Sequence, residues 1–155
     1  MTLTDLMDHL ADFLNPVLLE YGTEENGVIT PLKCYAGYPP QEKDHASFVY
    51  VLLTDVDDIE DNCTSLAKVQ IGVSIYDPDK KSNGRALFNL CEHIRQHLLK
   101  NRTVNGEHRL MLPLKFNALE RAWPQWQGVF TASYTIGQPC EEVDFYDEPE
   151  TITTY

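Results

Sequence analysis

The residues able to do acid–base, nucleophilic or metal chemistry are few and scattered along this chain. His93 and His97 stand four apart in a segment of helical period, so both rings leave one side of a helix and in geometry can share a metal ion. Between them lie Ile94, Arg95 and Gln96, without the glutamate that HExxH uses as a general base, and both rings flank an apolar stripe where packing accounts for them. His9, His45 and His108 fall in different elements and offer no spaced ligand set. The run Asp55, Asp57, Asp58, Glu60, Asp61 matches a calcium loop only in acidity, since it lacks the glycine at the sixth position and the spaced terminal glutamate; a solvated loop is expected. Asp77 and Asp79 around Pro78 are turn formers before they are an acid and a base. No pair among Cys34, Cys63, Cys91 and Cys140 has redox or zinc spacing, and Cys91 falls on the apolar side of a helix as a buried thiol. There is no GxSxG elbow, glycine-rich phosphate loop or compact Cys/His pair. The expectation is no catalytic residue, no metal and no cofactor, hence no enzyme.

Trp123, Trp126 and Tyr134 suggest a stacking platform for single-stranded nucleic acid, but Arg121 alone gives little positive charge beside them. Tryptophans around Pro124-Gln125 read instead as loop packing or an interface anchor. The net charge of −12 opposes sequence-specific nucleic-acid binding as well. That charge is unevenly spread. From Lys80 to Arg121 nine basic residues face three acidic ones, a local excess of +6, which leaves −18 for the rest. Such asymmetry suits either head-to-tail contact between copies or two solvated surfaces. The longest compact apolar run, Phe48 to Leu53, has the length of a strand, so no membrane span is expected. Asp5, Asp8 and Asp12 interrupt the N-terminal apolar residues, unlike a secretion signal, and predict cytoplasmic synthesis.

These groups must be positioned by a mixture of helices and strands. Leu3, Leu6, Met7, Leu10, Phe13, Leu14, Val17 and Leu18 predict a helix from about Thr4 to Tyr21, with Thr2 and Asp5 as a capping box and Pro16 as a kink or break. Thr23 to His45 reads as turns with short edge strands at Val28-Ile29 and Cys34-Tyr35-Ala36. Strands follow at Ser47 to Thr54 and Leu66 to Tyr76, the second with strict alternation. A helix capped by Asn83 is expected to run to Leu99 on the stripe Leu87, Leu90, Cys91, Ile94, Leu98. Asn105-Gly106 marks a turn before a strand at Arg109 to Leu112 that Pro113 interrupts or places at an edge. Lys115 to Gln127 reads as partly irregular, and Gly128 to Ile136 as the last strand. The order predicts a single α+β domain over residues 1–139, a mostly antiparallel sheet with two main helices packed on one face, followed by an acidic C-terminal tail at 140–155.

Gly72-Val73-Ser74-Ile75-Tyr76-Asp77, the helix with Leu90-Cys91-Glu92-His93-Ile94-Arg95-Gln96-His97-Leu98-Leu99, and Arg109-Leu110-Met111-Leu112-Pro113-Leu114 resemble tail terminator, or tail completion, proteins of long-tailed bacteriophages and prophages. Trp123-Pro124-Gln125-Trp126-Gln127-Gly128-Val129-Phe130 and Ile136-Gly137-Gln138-Pro139 extend the likeness, which covers roughly Val69 to Pro139. The resemblance implies a small subunit forming a ring, commonly a hexamer, that caps the head-proximal end of the tail tube. Such a ring stops tube polymerisation and presents the surface for head–tail joining. Its implied partners are further copies of itself, the tail-tube protein and a head completion or connector protein. Its implied location is the bacterial host cytoplasm during assembly and then the neck of the virion tail. The alternatives are another neck protein, such as a connector or tube-related subunit, and a small metal-dependent enzyme using His93 and His97. Ring closure needs one side of a subunit to fit the opposite side of the next. The residues expected at that contact are Lys80, Lys81, Arg85, Arg102 and Arg109 against Asp57, Asp58 and Glu60, with Trp123 and Trp126 supplying apolar area.

Overall fold

The computed structural model describes residues 2–25, 28–39, 47–58, 64–78, 81, 83–119 and 123–139. Helix α1 spans Leu3–Val17. The Thr2 hydroxyl accepts the Asp5 N–H at 3.3 Å while the Asp5 carboxylate accepts the Thr2 N–H at 2.8 Å, which completes the expected capping box. That backbone donor holds the Asp5 carboxyl below its ordinary value. Pro16 lies in the last turn, and the chain tightens into a 3-10 turn over Leu18–Glu20 instead of remaining α-helical to Tyr21. Helix α2 spans Arg85–Lys100. It starts one residue later than expected, because Gly84, at φ +83°, takes the N-cap position and no side chain caps it; Asn83 is itself left-handed at φ 51°. No helix among the described residues is long and apolar enough to cross a membrane.

Among the described residues eight strands accompany the helices: β1 Gly22–Glu25, β2 Val28–Pro31, β3 Cys34–Ala36, β4 Phe48–Asp58, β5 Thr64–Tyr76, β6 Thr103–Val104, β7 His108–Ala118 and β8 Gln125–Gly137. There β1 and β2 pair only with each other. The remaining six form one sheet in the order β3-β4-β5-β8-β7-β6, with β3 parallel to β4 and the other neighbours antiparallel. The architecture is therefore α+β: a mixed, half-barrel sheet with two helices packed on it.

The alternation along β5 explains how the core forms. Ala67, Val69, Ile71 and Val73 are all buried, and the register sets them beside Tyr134, Ala132, Phe130 and Gly128 of β8. Val49 and Val51 of β4 join them across Val73 and Ile71. Leu6, Leu10 and Leu14 of α1 and Leu87, Leu90, Ile94 and Leu98 of α2 enter the same buried cluster. Each such side chain contributes about 1.5–3 kcal/mol of burial. On the other side of β5 the Tyr50 ring lies so close over Gly72 that a Cβ there would overlap the ring's Cζ. Only glycine leaves room for that ring.

Two strands run further than their sequence suggests. β4 continues to Asp58 through a bulge between Leu53 and Asp55, so Asp55, Asp57 and Asp58 are strand residues and not part of a loop; Glu60 and Asp61 lie outside the described residues. The extra residue reverses the alternation, turning Val56 inward beside Ala67 and placing Asp55 and Asp57 with Lys68 and Leu66 on the outer face. Likewise β7 passes Pro113 by a register shift between Met111 and Lys115 and continues to Ala118, where an irregular segment was expected. The acidic segment 140–155 lies outside the described residues.

Among the described residues, one buried polar atom has no hydrogen-bond partner, the Tyr134 hydroxyl. Burial pushes that phenol well above its usual pKa. Tyr134→Phe keeps the ring and removes the unpaired group, so it is expected to raise the free energy of unfolding in urea by about 1 kcal/mol. Ile94→Ala, which empties a fully buried position, is expected to lower it by about 2–5 kcal/mol in the same assay.

Candidate functional site

The described residues bring together one group of three side chains with metal-ligating atoms: His9 on α1 with Glu107 and His108 on the β6–β7 hairpin. The hairpin explains two of them. Asn105 and Gly106, at φ 54° and 66°, are both left-handed, and the Glu107 N–H donates to the Val104 carbonyl at 3.1 Å, as a tight hairpin turn requires. That turn sets His108 at the first position of β7, in step with Leu110 toward the core, and its ring is fully buried.

The proton positions follow from the acceptors. His108 Nδ1 lies 3.2 Å from the Thr135 carbonyl oxygen, which only accepts, so Nδ1 carries the hydrogen and Nε2 of the neutral ring holds a lone pair. That lone pair faces His9 Nδ1 at 2.9 Å, and His9 donates to it. His9 Nε2 is then the acceptor for the Asn105 amide nitrogen at 3.2 Å. The same amide nitrogen donates to Glu107 Oε1 at 3.0 Å. A directed chain of donors thus runs from Asn105 through both imidazoles to the backbone of β8, and it fastens α1 to the sheet.

Sequence reasoning assigned His9 and His108 to separate elements with no shared role; the fold places them side by side across 99 positions. The usable signal was a histidine directly after an Asn-Gly turn and in phase with Leu110, because a polar group at an inward strand position needs a partner. The His93–His97 pair is real but different in kind. Its ring centroids are 4.6 Å apart, His93 Nε2 lies 3.1 Å from the Val17 carbonyl, and Tyr21 stacks against His93 at 5.0 Å. Those contacts tie α2 to the end of α1, and no third ligand joins them among the described residues.

The residues expected at a subunit contact separate into distinct places. Lys81 and Arg85 are exposed before and at the start of α2, whereas Arg102 follows its end, about 24 Å away along a 16-residue helix. The basic stretch is therefore not one patch. Arg109 is exposed on β7 and Arg102 is half-buried, its Nε donating to the Leu99 carbonyl at 3.1 Å. Asp57 and Asp58 are exposed at the end of β4, and Asp58 accepts the Ser65 hydroxyl. Trp126 is buried in the chain's own core over Gly84, whereas Trp123 is 42% exposed. Lys80 and Glu60 lie outside the described residues. A cavity of about 600 Å³ opens between the start of α1 and the ends of β4 and β8, lined by Thr2, Leu3, Val56, Asp58 and Ile136 among others.

His9→Ala leaves the buried His108 Nε2 without a donor, so at neutral pH it is expected to lower stability by about 1–3 kcal/mol. Nitrogen-15 NMR of the histidine rings is expected to show His108 protonated at Nδ1; a proton found at Nε2 breaks the assigned chain. Burial pushes the thiols of Cys34 and Cys91 up to about 12. Both are then expected to resist iodoacetamide at pH 8 in the folded protein and to react once it unfolds, as read by peptide mass spectrometry. Because the folded thiols ionise later than the ordinary value of 9.0, their contribution to stability is present below that value and lost as pH rises toward about 12.

Comparison of the sequence with protein-family models and with curated proteins gives no match.

Proposed function

We propose that this chain is a tail terminator subunit of a long-tailed phage or prophage, which closes into a ring on the head-proximal end of the tail tube, stops its growth and offers the surface for head–tail joining. One observation carries the physical part of this reading: the sheet has two open margins of opposite charge. β3 covers the outer edge of β4 only at Val49–Val51, so beyond Leu52 that edge has no strand neighbour among the described residues, and the segment carries Asp55, Asp57 and Asp58. On the other flank β6 covers β7 only at His108 and Arg109. Beyond these β7 is open, with Met111 42% and Leu112 52% exposed and with Lys115 nearby. Asp57, Leu66, Thr135 and Arg109 lie in one row across four strands, so the acidic and basic ends are about 14 Å apart.

We read both helices as lying on one face of a mostly antiparallel sheet, which leaves those margins for neighbouring copies. An acidic margin on one side and a basic, apolar margin on the other suit a heterologous contact that repeats around a ring. Among the described residues neither Arg102 nor Arg109 has a carboxylate within ion-pair distance, so both charges are available to a neighbour. The resemblance supplies the tail tube and the head completion protein as the ring's two axial partners. Function then comes from binding, with Trp123 and the exposed β7 side chains as apolar contact.

The test is a charge exchange. Asp55→Lys with Asp57→Lys makes both margins basic, and Arg102→Glu with Arg109→Glu makes both acidic. Each double variant alone is expected to lose ring formation on purified tail-tube protein, and an equal mixture is expected to recover it, as read by light scattering and electron microscopy. The unaltered chain is expected to cap tubes and narrow their length distribution. Rings of ordinary stability from either double variant, at low and high salt alike, would remove the electrostatic contact. Tubes of unchanged length and free ends would remove the terminator function.

A further inference from the structure

We infer that His9 Nδ1, His108 Nε2 and a Glu107 carboxylate oxygen form a binding site for a divalent transition-metal ion of the zinc or nickel type, which clamps α1 to the β6–β7 hairpin. One ligand atom from each of these three residues lies within 4.8 Å of the other two, and His9 Nδ1 and His108 Nε2 are in direct contact. Two nitrogens each about 2.1 Å from a metal are separated by about 3.0 Å at a right angle and about 3.4 Å at the tetrahedral angle. The observed 2.9 Å between His9 and His108 lies near the first, and because the rings face nearly head-on with centroids 5.1 Å apart, the His9 ring must swing aside for both lone pairs to converge on one ion. His9 is half-buried and Glu107 exposed, so the side of the site that must adjust is also the side open to solvent.

The surroundings favour a ligand set over a simple packing contact. His108 is fixed before any ion arrives, since its Nδ1–H to the Thr135 carbonyl orients the ring and leaves the Nε2 lone pair pointing at His9. A backbone carbonyl on the far nitrogen is the usual support of a metal-bound imidazole. Asn105 supplies the second support, holding Glu107 Oε1 at 3.0 Å and facing His9 Nε2 at 3.2 Å. When the ion takes the His9 Nδ1 lone pair, the proton leaving Nδ1 moves to Nε2, and the Asn105 amide turns to accept it through its oxygen, releasing Glu107 Oε1 to the ion. Two neutral imidazoles and one carboxylate carry a single negative charge, and nitrogen with oxygen donors of this kind suit zinc, nickel, cobalt or copper over calcium or magnesium. Water completes the sphere on the exposed side. This binding needs only one subunit, so its failure leaves the ring reading untouched.

Zinc chloride titrated into the full chain at neutral pH, followed by calorimetry, is expected to show one site. Affinity is expected to fall by about tenfold or more in His9→Ala and in Glu107→Ala and to be unchanged in His97→Ala. Because His9→Ala also lowers stability, Glu107→Ala, at an exposed position, carries the test independently, with circular dichroism checking both variants. Cobalt(II) added as a probe is expected to give a visible ligand-field band that disappears in Glu107→Ala. Equal zinc affinity in both site variants and the unaltered chain, loss in His97→Ala alone, or no zinc binding at all would each overturn the inference.

Discussion

The rest of the molecule hangs on the pairing of β5 with β8. These strands run antiparallel from Thr64 beside Gly137 to Tyr76 beside Gln125 without a break in register. Because side chains alternate, this single alignment decides which residues of both strands meet the helices and which meet the other face. A slip of one residue would move Ala67, Val69, Ile71 and Val73 out of the core and bring Lys68 and Gln70 into it. The pair is also covered on both faces near its closed end, where Gly72 and Ser74 are buried beneath Tyr50 and Gln125. β4 and β7 then add one to each side, and the charged contacts proposed for the subunit sit on one or other of those flanks.

How much of this was legible in the sequence depended on whether the signal was local. The capping box of α1, the stripe of α2, the alternation of β5 and the Asn105-Gly106 turn are each written in consecutive residues, and each appears where expected. Each proline offered two readings that local sequence leaves open. Pro113 either interrupts its strand or places it at an edge, and β7 passes it by shifting register on a margin where no neighbour needs its missing N–H. Pro16 either kinks or breaks its helix, and it lies where the α-helix gives way to a tighter turn. The acidic residues after Thr54 looked like a loop because their composition is polar, yet a strand with one solvated face accepts them.

The histidine cluster was not legible, and the reason is physical. Its members are linked by chain topology and not by spacing: α1 must cross the sheet near the β6–β7 hairpin before His9 can reach His108. Only the inward phase of His108 hinted that a partner existed. A buried imidazole is tolerated when each nitrogen has a complementary group, and here the partners come from three elements, the helix, the hairpin and β8. The cluster is therefore both a clamp and a record of how α1 is seated.

The bulge at Thr54 carries a consequence for how this surface can change over time. One surplus residue divides β4 into an inner segment that fills the core with Val49 and Val51 and an outer segment that lines its margin with carboxylates. Flattening the bulge into regular pairing would set Thr54 opposite Lys68 and exchange the two sides of the outer segment, pointing Val56 at water and Asp55 toward Ala67. Removing Thr54 would instead join Leu53 to Asp55 in ordinary alternation and keep the carboxylates outside, so the charge of that margin depends on how the chain houses a single surplus residue.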